Sequence, residues 1–221
     1  MNLRLPLTIS LALLAAMAAL SAWGWFALPE GARMATHWGF DGRVNGTMGK
    51  ETGLLLLPAI ALGVVLVLAL VPRIEPRRDN LIASRKPFLA AWIGALVVLA
   101  ITHALLVFNA AGFVTDVPGA IMIVVPVMIG VAGNYLGKVR PNYFLGVRTP
   151  WTLTSDLAWE KSHRLMGRLF VVSALIALAM RFAIGPTAAA MALAATVFAS
   201  AAIGIASSYV YWRQDPERRA V

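Results

Sequence analysis

Apolar runs, each long enough to cross a bilayer and nearly free of charge, constrain this chain more than any other feature. A hydrocarbon core about 30 Å thick needs about 20 mostly apolar residues of helix. Residues 5–28, 53–72, 88–109 and 117–137 each supply such a run. Arg181 and Arg213 then bracket 31 uncharged residues, too many for one ordinary span. Gly185-Pro186 interrupts them, and proline lacks the N–H that a helix interior requires. The pattern therefore predicts two final spans, 165–184 and 187–209. Composition agrees: 60% of the 221 residues are hydrophobic and 13% are charged, against about 25% charged in a soluble domain. The expected fold is all-α, one integral membrane domain made of a bundle of six transmembrane helices. Its first run is about two dozen residues long, more than the roughly 7–15 of a secretory signal, and reads as an uncleaved anchor.

Orientation follows from Lys and Arg, which concentrate on the cytoplasmic side of membrane proteins. With the N-terminus inside, 15 of the 19 basic residues fall on the cytoplasmic side and only Arg33, Arg43, Lys50 and Arg181 outside. The expected topology is N-in, C-in. The formal net charge of +9 then sits entirely on the inner face, so a pI near 10.8 reflects topology and calls for no direct nucleic-acid partner. No cysteine is present, which removes thiol chemistry and Cys-based metal sites. No phosphate-binding glycine loop, nucleophile elbow or His-Glu-x-x-His motif occurs. The sequence therefore suggests neither an enzyme nor a cofactor or metal site.

Two connections are too elaborate to be spacers. The outer one, 28–52, reads LPEGARMATHWGFDGRVNGTMGKET. Asp41-Gly42 and Asn45-Gly46 favour tight reversals, so short hairpin-like structure is expected. His37, Trp38 and Phe40 are candidate recognition anchors, since aromatic side chains carry much interface energy. Asp41, Asn45 and Gly46 resemble a calcium loop, but Arg43 stands where a third ligand is needed. The cytoplasmic loop, 138–164, concentrates Trp151, Trp159, Tyr143 and Phe144 among basic residues, with Pro141 and Pro150 restricting its backbone. Thr154 is the candidate N-cap of a helix that continues into the fifth span. On that helix Trp159, His163, Met166 and Phe170 form one stripe.

The run Gly133-Asn134, Lys138, Arg140-Pro141-Asn142, Gly146, Arg148, Pro150-Trp151-Thr152, Trp159 and His163-Arg164 resembles the signature of the SdpI family of bacterial membrane proteins. The outer segment, with Pro29, His37-Trp38, Gly42 and Lys50, is similar to the short domain that often precedes it. The resemblance implies immunity to a secreted, membrane-active peptide toxin. It also implies a signalling role in which a cytoplasmic repressor is held at the membrane. On that reading the outer segment senses the toxin, and Arg140, Arg148 and Arg164 contact carboxylates of a partner with Trp151 and Trp159 as apolar anchors.

Inside the spans the polar residues are few. His103 and Asn109 lie in the third, and an ionisable residue there is a functional candidate because its burial is costly. They support an alternative reading, a small-solute or proton-coupled transporter, although no Asp or Glu lies within any span. Gly133-x-x-x-Gly137 with Asn134 points to close helix contact.

Overall fold

The computed structural model describes residues 1–39 and 41–219. Six helices long and apolar enough to cross a membrane form the body: α1 (Arg4–Ala27), α2 (Lys50–Ile74), α4 (Arg85–Ala110), α5 (Val117–Leu136), α7 (Asp156–Ala183) and α8 (Pro186–Gln214). Between α1 and α2 the chain forms an antiparallel pair, β1 (Arg33–Trp38) and β2 (Val44–Gly49). Two short helices, α3 (Arg78–Ala83) and α6 (Pro150–Thr154), lie in the connections at the opposite end. The protein is an all-α membrane protein carrying one small hairpin.

Local chemistry sets the helix ends. Asp116 caps α5 by accepting from the Gly119 N–H at 2.8 Å. Gly185, with φ +139°, turns the chain so that α8 can open on Pro186, whose missing N–H costs nothing in a first turn. The start of α7 corrects the expectation of a Thr154 cap: Ser155 is the N-cap, and the Thr154 hydroxyl donates back to the Pro150 carbonyl. The reason is that α6 already occupies 150–154, so the chain must leave one helix before entering the next.

Packing divides the bundle into two groups of three. Helices α1, α2 and α4 pack on one another, as do α5, α7 and α8, and the α4–α5 contact joins the groups. In the first group Trp92 is fully buried, edge-on to Phe88, and its indole N–H donates to Ser10 Oγ at 3.0 Å. In the second group α5 and α7 cross on glycine. A Cβ at Gly133 would lie 2.7 Å from the Gly167 carbonyl, and one at Gly167 would lie 2.5 Å from the Gly133 carbonyl. Small residues let the backbones approach this closely. Gly137 extends the contact by resting on the Arg164 backbone. Asn134 does not take part: it is exposed, because the helix turns it away from the seam that Gly133 and Gly137 share. Arg181, near the end of α7, ties that helix to the start of α5 through Asp116 at 3.0 Å and the Gly119 carbonyl at 2.9 Å.

A polar chain across α1, α2 and α4 has a definite cause. Pro58 has no N–H, so the Leu54 carbonyl loses its helical partner. Ser21 Oγ donates to it at 2.7 Å. The hydroxyl has one proton, so at 3.0 Å it must accept from His103 Nε2. His103 is thus a fully buried brace between helices. Ser21→Ala is expected to destabilise the protein by about 1–3 kcal/mol, since it orphans two buried groups. In a Pro58→Ala background, where the helix can bond Leu54 itself, thermal unfolding should register a smaller loss.

Candidate functional site

The cytoplasmic motif folds into a compact block, and its polar side chains mostly hold its own backbone. Asn142 is fully buried. Its Oδ1 accepts from the Phe144 and Leu145 N–H groups at 2.8 and 2.7 Å, while Nδ2 donates to the Arg140 carbonyl at 2.8 Å. An Asn closing turns on its own following backbone is the reason this segment needs that residue type. Gly146 follows with φ +97°, where a side chain is strained, and a Cβ there would overlap His163 Nε2. Thr149 and Thr152 form a reciprocal capping box at the start of α6, with Pro150 in the first turn.

The block is seated on α7. His163 Nδ1 donates to the Trp159 carbonyl at 2.8 Å, and Nε2 accepts from the Val147 N–H at 2.9 Å. Both ring nitrogens are used, and protonating Nε2 would set N–H against N–H. The ring therefore serves as a neutral bridge. Trp159 stacks on it at 4.1 Å and donates its indole N–H to the Val139 carbonyl at 2.7 Å. Both side chains are buried. Trp151 reaches α8, donating to Ser208 Oγ and meeting Tyr209 edge-on at 5.3 Å.

Residues outside the motif complete the seat, and sequence reasoning passed over them. Glu75, just beyond α2, is 4% exposed and accepts from the backbone N–H groups of Arg77 and Tyr143 at 2.7 and 3.0 Å. Arg77 lies over the Tyr143 ring at 5.1 Å and donates to the Leu153 carbonyl at 2.9 Å. Asn80 and Ser84 hold the Pro141 carbonyl and the Arg140 N–H, both at 2.8 Å. From the C-terminal side Asp215 accepts from Ser155 Oγ, and the Arg219 N–H donates to the Thr154 carbonyl. The signal was faint: one acidic residue between Pro72 and Pro76 within a basic stretch.

The three arginines expected to face a partner differ. The Arg148 guanidinium is exposed and donates one hydrogen bond to the Tyr143 carbonyl, at 2.6 Å. Arg164 pairs with Glu160 one turn away. Only the Arg140 guanidinium is without a hydrogen bond or ion pair among the described residues. Trp159, expected as an anchor for a partner, is instead inside the protein because its indole N–H and ring face are both consumed by the motif.

At the other end the hairpin is pinned by Lys50, 6% exposed, whose ammonium donates to the Leu28 carbonyl at 2.8 Å and lies over the Trp25 ring at 5.7 Å. Lys50 therefore anchors the hairpin from below and is not offered to a ligand. Pro29 contributes its carbonyl to the Ala32 N–H, and Gly42, with φ +76°, supports the reversal. His37 Nδ1 contacts Asn45 Oδ1 across the strands, and Trp38 packs on a cluster with Leu28, Met34 and Leu106. Phe40 lies outside the described residues. Asn109 donates to the Val114 carbonyl at 2.7 Å, closing the turn between α4 and α5, so it and His103 serve separate structural ends.

Two cavities follow the α4–α5 seam. One, of about 640 Å³, lies under the hairpin, which supplies Thr36, His37 and Trp38 above an apolar floor that includes Leu106 and Ile121. The second, of about 580 Å³, reaches Leu145 and Gly146 of the motif. Val125 lines both.

Comparison with known proteins matches this division. The SdpI/YfhL protein family matches residues 138–211, which cover the motif, α7 and most of α8. A domain of unknown function, DUF1648, matches residues 12–62, from within α1 through the hairpin into α2. The immunity protein SdpI of Bacillus subtilis (strain 168) is 24% identical over 119 residues, a match covering 54% of this chain and 57% of the relative's length. No solved structure matches the chain. A docked motif block on the last two spans, preceded by a hairpin module on the first two, is the arrangement over which this chain is similar to the SdpI/YfhL protein family and to DUF1648.

Proposed function

We propose that this protein is a multi-pass membrane immunity protein that captures a membrane-active peptide at its hairpin end and signals its presence through the motif block. The observation that carries the reading is the chamber under the hairpin. Its apolar floor lies between α4, α5 and α8, and its roof carries polar atoms of Thr36, His37 and Asn45. An amphipathic peptide presents the complementary pair of surfaces: apolar side chains for the floor and backbone or polar groups for the roof. The count of basic residues supports a reading with the hairpin outside and the motif inside, and the similarity to a bacterial immunity protein supports an inner-membrane location. The second cavity supports a route for the coupling, because Val125 separates it from the first and it reaches Gly146, where the motif rests on His163. On the cytoplasmic face the block, with Arg140 free and Trp151 at its edge, is the surface on which a repressor protein would be held.

The test is survival of a sensitive bacterial host challenged with a strain that secretes such a peptide. Expression of this chain is expected to protect. Trp38→Ala should weaken protection by opening the roof. Arg148→Ala and Trp151→Ala should abolish it while leaving membrane abundance unchanged. Full protection by both motif variants at wild-type abundance would refute the coupling role, and no protection by the wild type would refute capture.

A further inference from the structure

A second groove, at the motif end and on the other side of α5, has a different character. One cavity of about 530 Å³ opens between α3, the 137–141 segment and the start of α7, with Arg140 and Asn80 on its rim. Another, of about 610 Å³, runs along α5 and α7 past Asn134 and Arg168 to Val171 and Val172. Gly137, Lys138 and Arg164 line both, so the two cavities adjoin along one groove face. Its floor is shallow in side chains because Gly133, Gly137 and Gly167 form the helix crossing there.

We infer that this groove holds an anionic phospholipid of the cytoplasmic leaflet, its phosphate at Lys138, Arg140 and Arg168 and an acyl chain along Val171 and Val172. Charge comes first. Four cations line the groove against two carboxylates, Asp156 and Glu160, and Glu160 is already paired with Arg164. Arg140 and Arg168 are exposed and make no side-chain hydrogen bond or ion pair among the described residues, while Lys138 only lies over the Tyr135 ring at 5.1 Å. Three cations are thus left for an external anion.

Asn134 is the second observation. It is an exposed amide on a membrane helix with no side-chain partner among the described residues, in the same groove as those cations. An unpaired amide in hydrocarbon is costly, whereas at headgroup depth it can donate to a phosphate or an ester carbonyl. The general excess of Lys and Arg on the cytoplasmic side explains positive charge at this end, but not its gathering, with an orphan amide, around one glycine-floored groove. Basic pockets between transmembrane helices on this side suit anionic headgroups. A soluble phosphate would use the mouth alone, and the continuation onto two valines in the span favours a lipid.

The experiment uses the full chain, purified in neutral detergent and placed in nanodiscs of phosphatidylcholine with or without phosphatidylglycerol. Bound lipid is read by native mass spectrometry. The wild type should retain phosphatidylglycerol in preference to phosphatidylcholine. The triple variant Lys138→Gln, Arg140→Gln, Arg168→Gln should lose between about tenfold and a hundredfold in that preference. Asn134→Leu, which leaves every charge in place, should lower it by several-fold, and it serves as the readout if the triple variant fails to fold. A matched triple variant at Arg73, Arg78 and Arg85, exposed at the same end, should keep the preference. Equal losses in the two triple variants would mean a diffuse field and overturn the site. Competition by glycerol 3-phosphate as strong as that by the lipid would also overturn it, by identifying a soluble-anion site. An unchanged preference in Asn134→Leu together with the groove triple variant would do the same. None of these outcomes bears on peptide capture at the hairpin end.

Discussion

Gly146→Ala is expected to destabilise the protein by about 3 kcal/mol and to loosen the whole motif block. Two costs combine. The residue sits at φ +97°, and the left-handed region costs an L-residue with a Cβ roughly 1–2 kcal/mol. The new methyl would also overlap His163 Nε2, displacing the ring from the Val147 N–H that it accepts at 2.9 Å. Orphaning that partly buried donor costs about 1–3 kcal/mol more. Thermal unfolding in detergent, followed by tryptophan fluorescence, measures the total. Trypsin should then cleave after Arg148 faster than in the wild type, because that bond lies in the loosened segment. Gly112→Ala is the control. Its φ is +83°, but a Cβ there meets nothing within 4 Å, so only the backbone cost of about 1–2 kcal/mol should remain. Equal losses for the two variants would mean that contact with His163 contributes nothing.

The larger effect is expected at the α5–α7 crossing. Gly167→Val should remove most properly folded protein from the membrane, read as a loss of the monodisperse peak in fluorescence-detected size exclusion. Even a single Cβ at this position lies 2.5 Å from the Gly133 carbonyl and 3.5 Å from the Gly137 N–H. Those are backbone atoms, which cannot rotate aside as a flexible side chain does, so the helices must separate. In a membrane no hydrophobic gain between helices offsets the lost packing. Gly167→Ala is the graded form, expected to cost about 1–3 kcal/mol through overpacking. Gly63→Ala on α2 meets nothing within 4 Å, so it should be neutral or slightly stabilising through helix propensity. A Gly167→Val protein with wild-type yield and profile would show that the helices have room to spare.

These two sites differ in how far they could be read beforehand. Gly133-x-x-x-Gly137 carries its spacing in the sequence, and i, i+4 spacing places both residues on one helix face whatever that face meets. That the opposing surface would be Gly167 and the Arg164 backbone could not be read, since nothing local links α5 to α7. Asn134 shows the same boundary, because its neighbours suggested an interface that it turns out to face away from. His163 had a helical stripe to recommend it, yet its two hydrogen bonds, one to its own helix and one to Val147, make it a structural bridge. Trp159 looked like an exposed anchor because aromaticity is a usual mark of interfaces. Its indole N–H is instead taken up by a backbone carbonyl within the motif, while Arg148 stays exposed with one hydrogen bond to the Tyr143 carbonyl.

The sequence by itself determined the membrane fold, the span count, the hairpin-prone outer loop and the family resemblance, because each depends on periodicity, local turn chemistry or a contiguous motif. Only the tertiary structure decided that Glu75, Asn80, Ser84 and Asp215 hold the motif in place. It alone decided that Ser21 and His103 answer for the donor missing at Pro58. The physical reason is the same in each case. A buried polar group must find a partner, but nothing in its own stretch of chain says where that partner lies. Over separations of 33 residues for Ser21 and Leu54, or 68 for Glu75 and Tyr143, only the packing of the helices brings the two together.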